Sequence, residues 1–187
     1  RRHRGYAAGR TVEARMRFDR FRAIVGSMFT PDGEGGIAER YEGIDVRLAS
    51  PLVLAYIGDA YFHLFVRTRL LSFEQSQVHV LSDFAAQIVS AVWQAKAYHA
   101  IEERLTERER GIFRRGRNAK SHAPRRASVA EYHASTGFEA LLGTLFLEKD
   151  TERLDEIAEW AFQAIAQGMM AEIAAKRGRR VKKGAAE

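Results

Sequence analysis

The sequence contains no cysteine, which excludes disulfide bonds and thiolate metal sites. Its six histidines show no HExxH or other close ligand pairing, so a zinc site is not expected. No apolar run approaches the ~18 residues that a membrane-spanning helix needs, and no signal-peptide stretch follows the arginine-rich start. We therefore expect a soluble protein in a reducing compartment, without a membrane partner.

Proline is also scarce, and no strand alternation is long enough to compete with helix start signals. Ser50 before Pro51 is typical of a helix N-terminus, and this helix is predicted to run to about Leu71. Three capping boxes, each a Ser or Thr followed three residues later by Glu or Gln, predict further helices. These boxes begin at Ser72, Thr106 and Ser128. The fold class predicted is all-α.

Apolar periodicity extends this interpretation to the rest of the chain. Residues 78–95 carry apolar side chains at three- and four-residue intervals, which predicts one long amphipathic helix. A last helix is predicted from Asp150 or Thr151 to about Ile173. The sequence PDGEGG at residues 31–36 is a helix breaker. We expect a partly flexible N-terminal extension over residues 1–43, a folded domain over 44–174 and a basic C-terminal tail over 175–187.

Charge is distributed unevenly, although the net charge is only +6. Between Glu109 and Glu131 there is no acidic residue, and six basic residues fall within 114–126. A second basic cluster forms the C-terminal tail, which we expect to be a disordered end. Such clusters indicate a polyanionic partner or a solvated segment.

Two carboxylates interrupt otherwise apolar helices. Asp59, His63 and Arg67 share one face of the helix that begins at Pro51, and Glu139 lies within the apolar stretch TGFEALLGTLF. Acidic side chains are rarely buried without a partner. A structural explanation is that Asp59 pairs with Arg67 or His63, and that Glu139 bonds to a neighbouring helix end. The functional explanation is a cation shared by both acids, and Mg²⁺ fits because it binds oxygen ligands.

Three motifs resemble the ribonuclease III family. LAYIGDAYFHLFVR and STGFEALLGTLFLEKD resemble its two signature helices, and RGRNAKSHAPRRAS between them closely resembles a loop of the short form, Mini-ribonuclease III. The resemblance covers residues 45–172. It implies the ribonuclease III endonuclease domain fold, a homodimeric helical bundle.

The resemblance also implies roles for individual residues. Asp59 and Glu139 would be the catalytic metal ligands, with Mg²⁺ as cofactor and Mn²⁺ as a substitute. Two other acidic positions of the longer family correspond here to Ala55 and Thr136, as in the short form. Polar groups such as Ser135 or Thr136 would help complete the site. His63 would support Asp59, or it would be a packing histidine.

The activity implied is hydrolysis of phosphodiester bonds in double-stranded RNA, which leaves a 5′-phosphate and a 3′-hydroxyl. The substrate implied is the precursor of 23S ribosomal RNA, in a bacterial-type cytoplasm, although an organelle stays open. RNA contacts are expected from Arg114, Arg115, Arg117, Asn118, Lys120 and Ser121. The basic tail would add weak RNA affinity. The alternatives are a catalytically inactive RNA-binding scaffold and a helical DNA-binding regulator.

Overall fold

The computed structural model describes residues 4–28, 36, 44–75, 77–119 and 128–184. The chain divides into two compact units, with the boundary between Ile44 and Asp45. The first unit contains helix α1 (Arg4–Met28), with exposed apolar side chains that include Phe18 and Phe21. The sequence did not predict this helix within the N-terminal extension.

The second unit consists of helices. They are α2 (Pro51–Leu70), α3 (Val78–Ile88), α4 (Ala91–Ile101), a 3-10 turn (Glu102–Arg104), α5 (Glu107–Arg117), α6 (Val129–Leu147) and α7 (Thr151–Gly184). No strand occurs in the described ranges, so the predicted all-α class is confirmed. No helix among the described residues has both the length and the apolar character needed to cross a membrane.

Most of the predicted helix starts are confirmed. In α5 the Thr106 hydroxyl accepts from the Glu109 N–H at 3.3 Å, and the Glu109 carboxylate accepts from the Thr106 N–H at 2.7 Å. Ser128 and Glu131 form the same reciprocal pair at the start of α6. These side chains satisfy N–H groups that a helix N-terminus leaves without partners. Two of the three predicted capping boxes are therefore present.

The predicted helix start at Ser72 is wrong. The Ser72 N–H donates to the Arg69 carbonyl and the Phe73 N–H donates to the Leu70 carbonyl, so both groups serve the last turn of α2. Helix α3 begins only at Val78. Ser72 and Gln75 have the residue types of a capping box. The backbone N–H groups of Ser72 and Phe73, however, are already bonded to carbonyls in the last turn of α2.

The predicted long helix over residues 78–95 is also wrong, because the chain breaks at Val89 and Ser90. Ser90 is extended (φ −65°, ψ 149°), and the Gln94 side-chain amide donates to the Val89 carbonyl at 2.8 Å. Helices α3 and α4 lie on the two sides of this break. Apolar periodicity continued through it because Ala85, Ile88 and Ala95 all face the same core.

Helix α7 begins as predicted but continues further. The Asp150 carboxylate accepts from the Arg153 N–H at 3.4 Å, as expected of a cap. The helix then runs past the predicted end near Ile173 as far as Gly184. Alanine, lysine and arginine, which dominate this stretch, are strong helix formers. The basic cluster predicted as a disordered tail is therefore helical up to Gly184.

Helix α6 lies at the centre of the second unit, where it contacts α2, α4, α5 and α7. Phe138 and Leu141 on α6 are fully buried. The Phe138 ring meets Phe62 of α2 edge-on at 5.3 Å between centroids, and Tyr98 of α4 stacks on Phe113 of α5. Each such buried side chain contributes roughly 1.5–3 kcal/mol to folding. The residues around Glu139 therefore lie on a densely packed helix.

Candidate active site

Helices α2 and α6 cross with their backbones in direct contact. A Cβ atom at Gly58 would lie 1.8 Å from the Glu139 carbonyl oxygen, and one at Gly143 would lie 1.9 Å from the Leu54 carbonyl oxygen. Both distances are impossible, so any side chain at either glycine would push the helices apart. Asp59 directly follows Gly58, and Glu139 lies one turn before Gly143. The glycines therefore bring the two acid-bearing segments together.

Asp59 and Glu139 line one open cleft of about 470 Å³. Helices α2, α4 and α6 all contribute to its wall. The lining residues are Leu52, Ala55, Tyr56, Asp59, Ala91, Tyr132, Ser135, Thr136 and Glu139. Two acids that lie 80 positions apart in the sequence thus share one surface depression, as the sequence motifs required.

The electrostatics of the cleft are unusual. Burial raises the pKa of Glu139 to about 8, with a further contribution from the negative charge of Asp59 and an opposing hydrogen bond from Gln94. The folded protein therefore holds a proton on this carboxyl near neutral pH. A cation between the two acids would favour the ionised form instead.

The donor set fits a hydrated divalent cation better than a fully protein-bound one. Among the described residues, no group of three or more His, Cys, Asp or Glu side chains is placed to hold a metal. Two carboxylates facing an open cleft match the preference of Mg²⁺, which keeps several waters and is commonly held by one or two carboxylates plus substrate phosphate.

His63 lies beside Asp59, with its Nε2 atom 3.4 Å from Asp59 Oδ1. Of the two partners that the structural explanation offered, His63 is adjacent, whereas the Arg67 side chain is exposed. Both Asp59 and His63 remain partly open to solvent. A single histidine at one carboxylate oxygen leaves the other oxygen available to a ligand.

The positions that lack the additional acids also lie in the cleft. Ala55 and Thr136 both line it, and the Thr136 and Ser135 hydroxyls each donate to the Tyr132 carbonyl at 2.9 Å. These bonds fix both hydroxyl protons but leave the oxygen lone pairs as acceptors. Bound water in the cleft can therefore donate to them.

Sequence reasoning missed two residues that line the cleft and one buried residue behind it. Tyr56 is one turn from Asp59, and Tyr132 is two turns from Glu139, so helical spacing from the two acids would have found both. Gln94 is only 1% exposed and acts on Glu139 from α4. The sequence signal for Gln94 was a polar residue on an otherwise apolar helix face.

The basic residues predicted to bind RNA lie at the end of α5. Arg114, Arg115, Arg117 and Asn118 are exposed there, whereas Lys120 and Ser121 lie outside the described residues. A Cβ atom at Gly116 would lie 2.7 Å from Ala140 Cβ, the residue after Glu139. Close packing at Gly116 thus fixes the basic end of α5 against the helix that carries Glu139.

A family model for the ribonuclease III domain matches residues 52–150, which include both acids and the basic end of α5. The chain belongs to the ribonuclease III family. Membership in this family classes the chain as an endonuclease, and therefore as a hydrolase. The predicted family is confirmed.

Individual relatives are of the short form. The chain is 49% identical over 119 residues to Mini-ribonuclease 3 of Symbiobacterium thermophilum, which covers 63% of this chain and 92% of that protein. It is 40% identical over 126 residues to Mini-ribonuclease 3 of Enterococcus faecalis, with coverage of 66% and 96%. A crystal structure of a protein from Fusobacterium nucleatum matches with a TM-score of 0.58 at 32% identity, over 64% of this chain and 96% of that chain.

Proposed function

We propose that this protein is an endoribonuclease that hydrolyses phosphodiester bonds in double-stranded RNA, with a divalent cation held by Asp59 and Glu139. The observation that supports this most strongly is the pair of carboxylates in one open cleft, where burial and the charge of Asp59 raise the pKa of Glu139 to about 8. Burying one carboxylate beside another lowers the stability of the fold unless a bound cation offsets their negative charge.

Mg²⁺ is the ion we assign to this site, and Mn²⁺ should replace it because both accept carboxylate and water ligands. When bound, the ion supplies a water of lowered pKa and stabilises charge on the phosphate under attack. His63 orients the Asp59 carboxylate, and Gln94 orients that of Glu139. The Ser135 and Thr136 oxygens accept hydrogen bonds from water in the cleft.

Duplex RNA suits the surroundings of the cleft. An A-form duplex is recognised mainly through its phosphates, its 2′-hydroxyls and its shape. The exposed end of α5 offers Arg114, Arg115, Arg117 and Asn118 for such contacts, and Lys120 and Ser121 follow in the sequence. We assign the precursor of 23S ribosomal RNA as the substrate and bacterial cytoplasm as the location. A homodimer would place one cleft on each strand of the duplex.

The direct test is cleavage of a defined RNA duplex in the presence of Mg²⁺ or Mn²⁺. Asp59→Asn and Glu139→Gln should each lower the cleavage rate by on the order of a thousandfold, because each removes a charge from the reacting centre. Asp83→Asn changes an exposed acid on α3 and should cut at the normal rate. Circular dichroism would establish that all three variants are folded.

Other outcomes assign other functions. Binding of duplex RNA without metal-dependent cleavage would support an inactive scaffold, and a preference for duplex DNA would support a DNA-binding regulator. Cleavage of a 23S precursor transcript at discrete positions would support the substrate assignment, and random cutting would contradict it. Light scattering would reveal twice the chain mass for the proposed homodimer.

A further inference from the structure

A second polar cavity, of about 80 Å³, lies between the segment before α2, helix α5 and the second half of α6. Three arginines converge on it from separate places: Arg47 precedes α2, while Arg108 and Arg115 lie two turns apart on one face of α5. We propose that this cavity binds a phosphodiester group of the RNA backbone away from the cleavage cleft. This inference rests on the proposed function, because it assigns the anion to the RNA substrate.

The size of the cavity suits such a group. One water-sized group needs on the order of 10–15 Å³, so a cavity of this volume accommodates several. The oxygens of a phosphate are groups of that size. Guanidinium groups present rigid, planar sets of donors that match phosphate geometry. Three guanidinium groups around one small cavity concentrate positive charge where a phosphate group could bind.

Hydrogen bonds orient the side chains of the three arginines. Arg115 Nη1 donates to the Arg47 carbonyl at 2.9 Å, and Arg108 Nη2 donates to Glu148 Oε1 at 2.5 Å. Arg47 makes two contacts of 3.0 Å with the Asp45 carboxylate. A guanidinium group has five N–H donors, so these bonds position each side chain and leave other donors for a ligand. Such preorganisation lowers the entropy cost of binding.

The charge of the cavity favours an anion. Three guanidinium groups face a single carboxylate in the wall, that of Glu148. Asp45 offsets part of the charge of Arg47, yet the balance stays positive. The Thr144 hydroxyl is committed to the Ala140 carbonyl at 2.7 Å, so the donors to an anion are the arginines. Glu148 weakens anion binding, and this makes it a useful probe.

The position of the cavity relates it to the cleavage cleft. Thr144 in its wall lies five residues beyond Glu139 on α6, about 7.5 Å along the helix axis. Arg47 lies just before α2, the helix that carries Asp59. Arg115 already belongs to the basic end of α5. The cavity and the cleft therefore share helix α6, and Arg115 joins the cavity to the basic end of α5 that is proposed to contact RNA.

The test measures affinity for a defined RNA duplex without divalent ions, over a range of salt concentrations. Arg47→Gln, Arg108→Gln and Arg115→Gln should each weaken binding by about five- to tenfold at physiological salt, and each should reduce the salt slope by about one. Glu148→Gln should strengthen binding by about two- to threefold, since it removes the opposing charge. Unfolding in urea would establish that each variant is folded.

A matched control is available in the Arg69–Glu159 pair, which bridges α2 and α7 with similar side-chain exposure. Arg69→Gln and Glu159→Gln should leave RNA affinity unchanged. Arg108 and Glu148 share one ion pair, so a purely structural role predicts that their substitutions act in the same direction. Shifts of the same sign, or no shift in either, would overturn the proposal.

Titration of the protein with inorganic phosphate distinguishes the RNA backbone from free phosphate as the ligand of the cavity. Saturable phosphate binding that Arg108→Gln abolishes, with RNA affinity unchanged, would assign the cavity to a free anion and overturn the RNA assignment. Unaltered affinity in all the cavity variants, while the wild-type protein cuts duplex RNA, would defeat this inference alone. Loss of RNA affinity in the arginine variants of a protein that cannot cut RNA would support the cavity and defeat the proposed activity.

Discussion

Two acidic residues lie in the packed helices of the second unit, Glu109 on α5 and Glu139 on α6. Glu109 is only 4% exposed, and Arg153 meets its two oxygens at 2.8 and 2.9 Å. Burial alone would raise the pKa of Glu109, but hydrogen bonds from Arg153 and from the Thr106 backbone outweigh burial and lower it.

Glu139 has the opposite environment. Burial and the nearby charge of Asp59 raise its pKa to about 8, and the Gln94 amide offsets only part of this effect. At Glu109 the fold supplies the opposite charge, whereas at Glu139 it supplies a second negative charge. The contrast distinguishes an acid whose charge is balanced by Arg153 from one that lies beside a second acid.

The largest effect should come from separating the two cleft acids. Gly58→Ala would place a Cβ atom 1.8 Å from the Glu139 carbonyl oxygen, so α2 and α6 must move apart. We expect the free energy of unfolding to fall by about 3 kcal/mol, together with loss of RNA cleavage. Urea denaturation and a cleavage assay measure the two effects.

Gly111→Ala is the control for this substitution, because nothing lies within 4 Å of a Cβ atom there. Alanine favours helix over glycine, so this variant should be as stable as the wild type or up to about 1 kcal/mol more stable. A Gly58→Ala protein with wild-type stability and activity would show that the close crossing does not position the cleft.

Removing the partner of Glu109 should have the next largest effect. Arg153→Gln leaves a buried carboxylate without its counter-charge, and we expect a loss of about 2–3 kcal/mol in the free energy of unfolding. Because the pKa of Glu109 is lowered in the folded state, its contribution is present at neutral pH and is lost as pH falls through that pKa. The difference between variant and wild type should therefore shrink in acid.

Glu156→Gln provides the comparison for Arg153→Gln, since Glu156 pairs with the same arginine at the surface. An exposed pair contributes about 0–1 kcal/mol. Equal losses in the two variants would contradict the special role of the buried pair.

Substitution of the cleft acid should act in the opposite direction. The folded state of the metal-free protein binds a proton at Glu139 more tightly than the unfolded state does, since the pKa is raised to about 8. Stability contributed by this group therefore falls as pH rises from the ordinary glutamate range towards 8. Glu139→Gln should be more stable than the wild type by about 2 kcal/mol at pH 8.

Thermal unfolding with a chelator present, at pH 5 and at pH 8, measures this effect. The advantage of Glu139→Gln should be small at pH 5 and large at pH 8, whereas Glu103→Gln, an exposed acid, should show none. A destabilised Glu139→Gln protein at pH 8 would mean that the fold relies on this carboxylate as it relies on Glu109.

The smallest effect should occur at the connection between α6, which carries Glu139, and α7, which carries Arg153. Lys149 between α6 and α7 has a φ of 60°, while the Asp150 N–H donates to the Leu145 carbonyl. This helix end normally carries glycine. Lys149→Gly should raise the free energy of unfolding by about 0.5–1 kcal/mol in urea, without altering cleavage. A loss of stability would contradict backbone strain at this position.

Local signals made part of this molecule predictable. The capping boxes at Thr106 and Ser128 involve residues three apart, and each acid interrupted an apolar helix of its own. The start of α3 at Val78 depends on how α2 ends. The break at Ser90 depends on how α4 packs beside α3. Sequence periodicity does not contain that information, because both sides of the break face one core.

Contacts between distant segments could not be predicted either, because sequence periodicity does not show how separate elements pack. The approach of Gly58 to Gly143, the effect of Gln94 on Glu139 and the meeting of Arg47 with Arg115 each join different elements. The sequence motifs singled out Asp59 and Glu139, which line one cleft in the structure. The motifs could not predict that the pKa of Glu139 is raised to about 8.

Binding of Mn²⁺ to the isolated protein, measured by electron paramagnetic resonance, tests the central claim most directly. We expect one Mn²⁺ site per chain, for which Mg²⁺ competes, and an affinity at least about tenfold weaker in Asp59→Asn and in Glu139→Gln. Mn²⁺ binding of the same strength in the wild type and in both variants would contradict a cation shared by these two carboxylates.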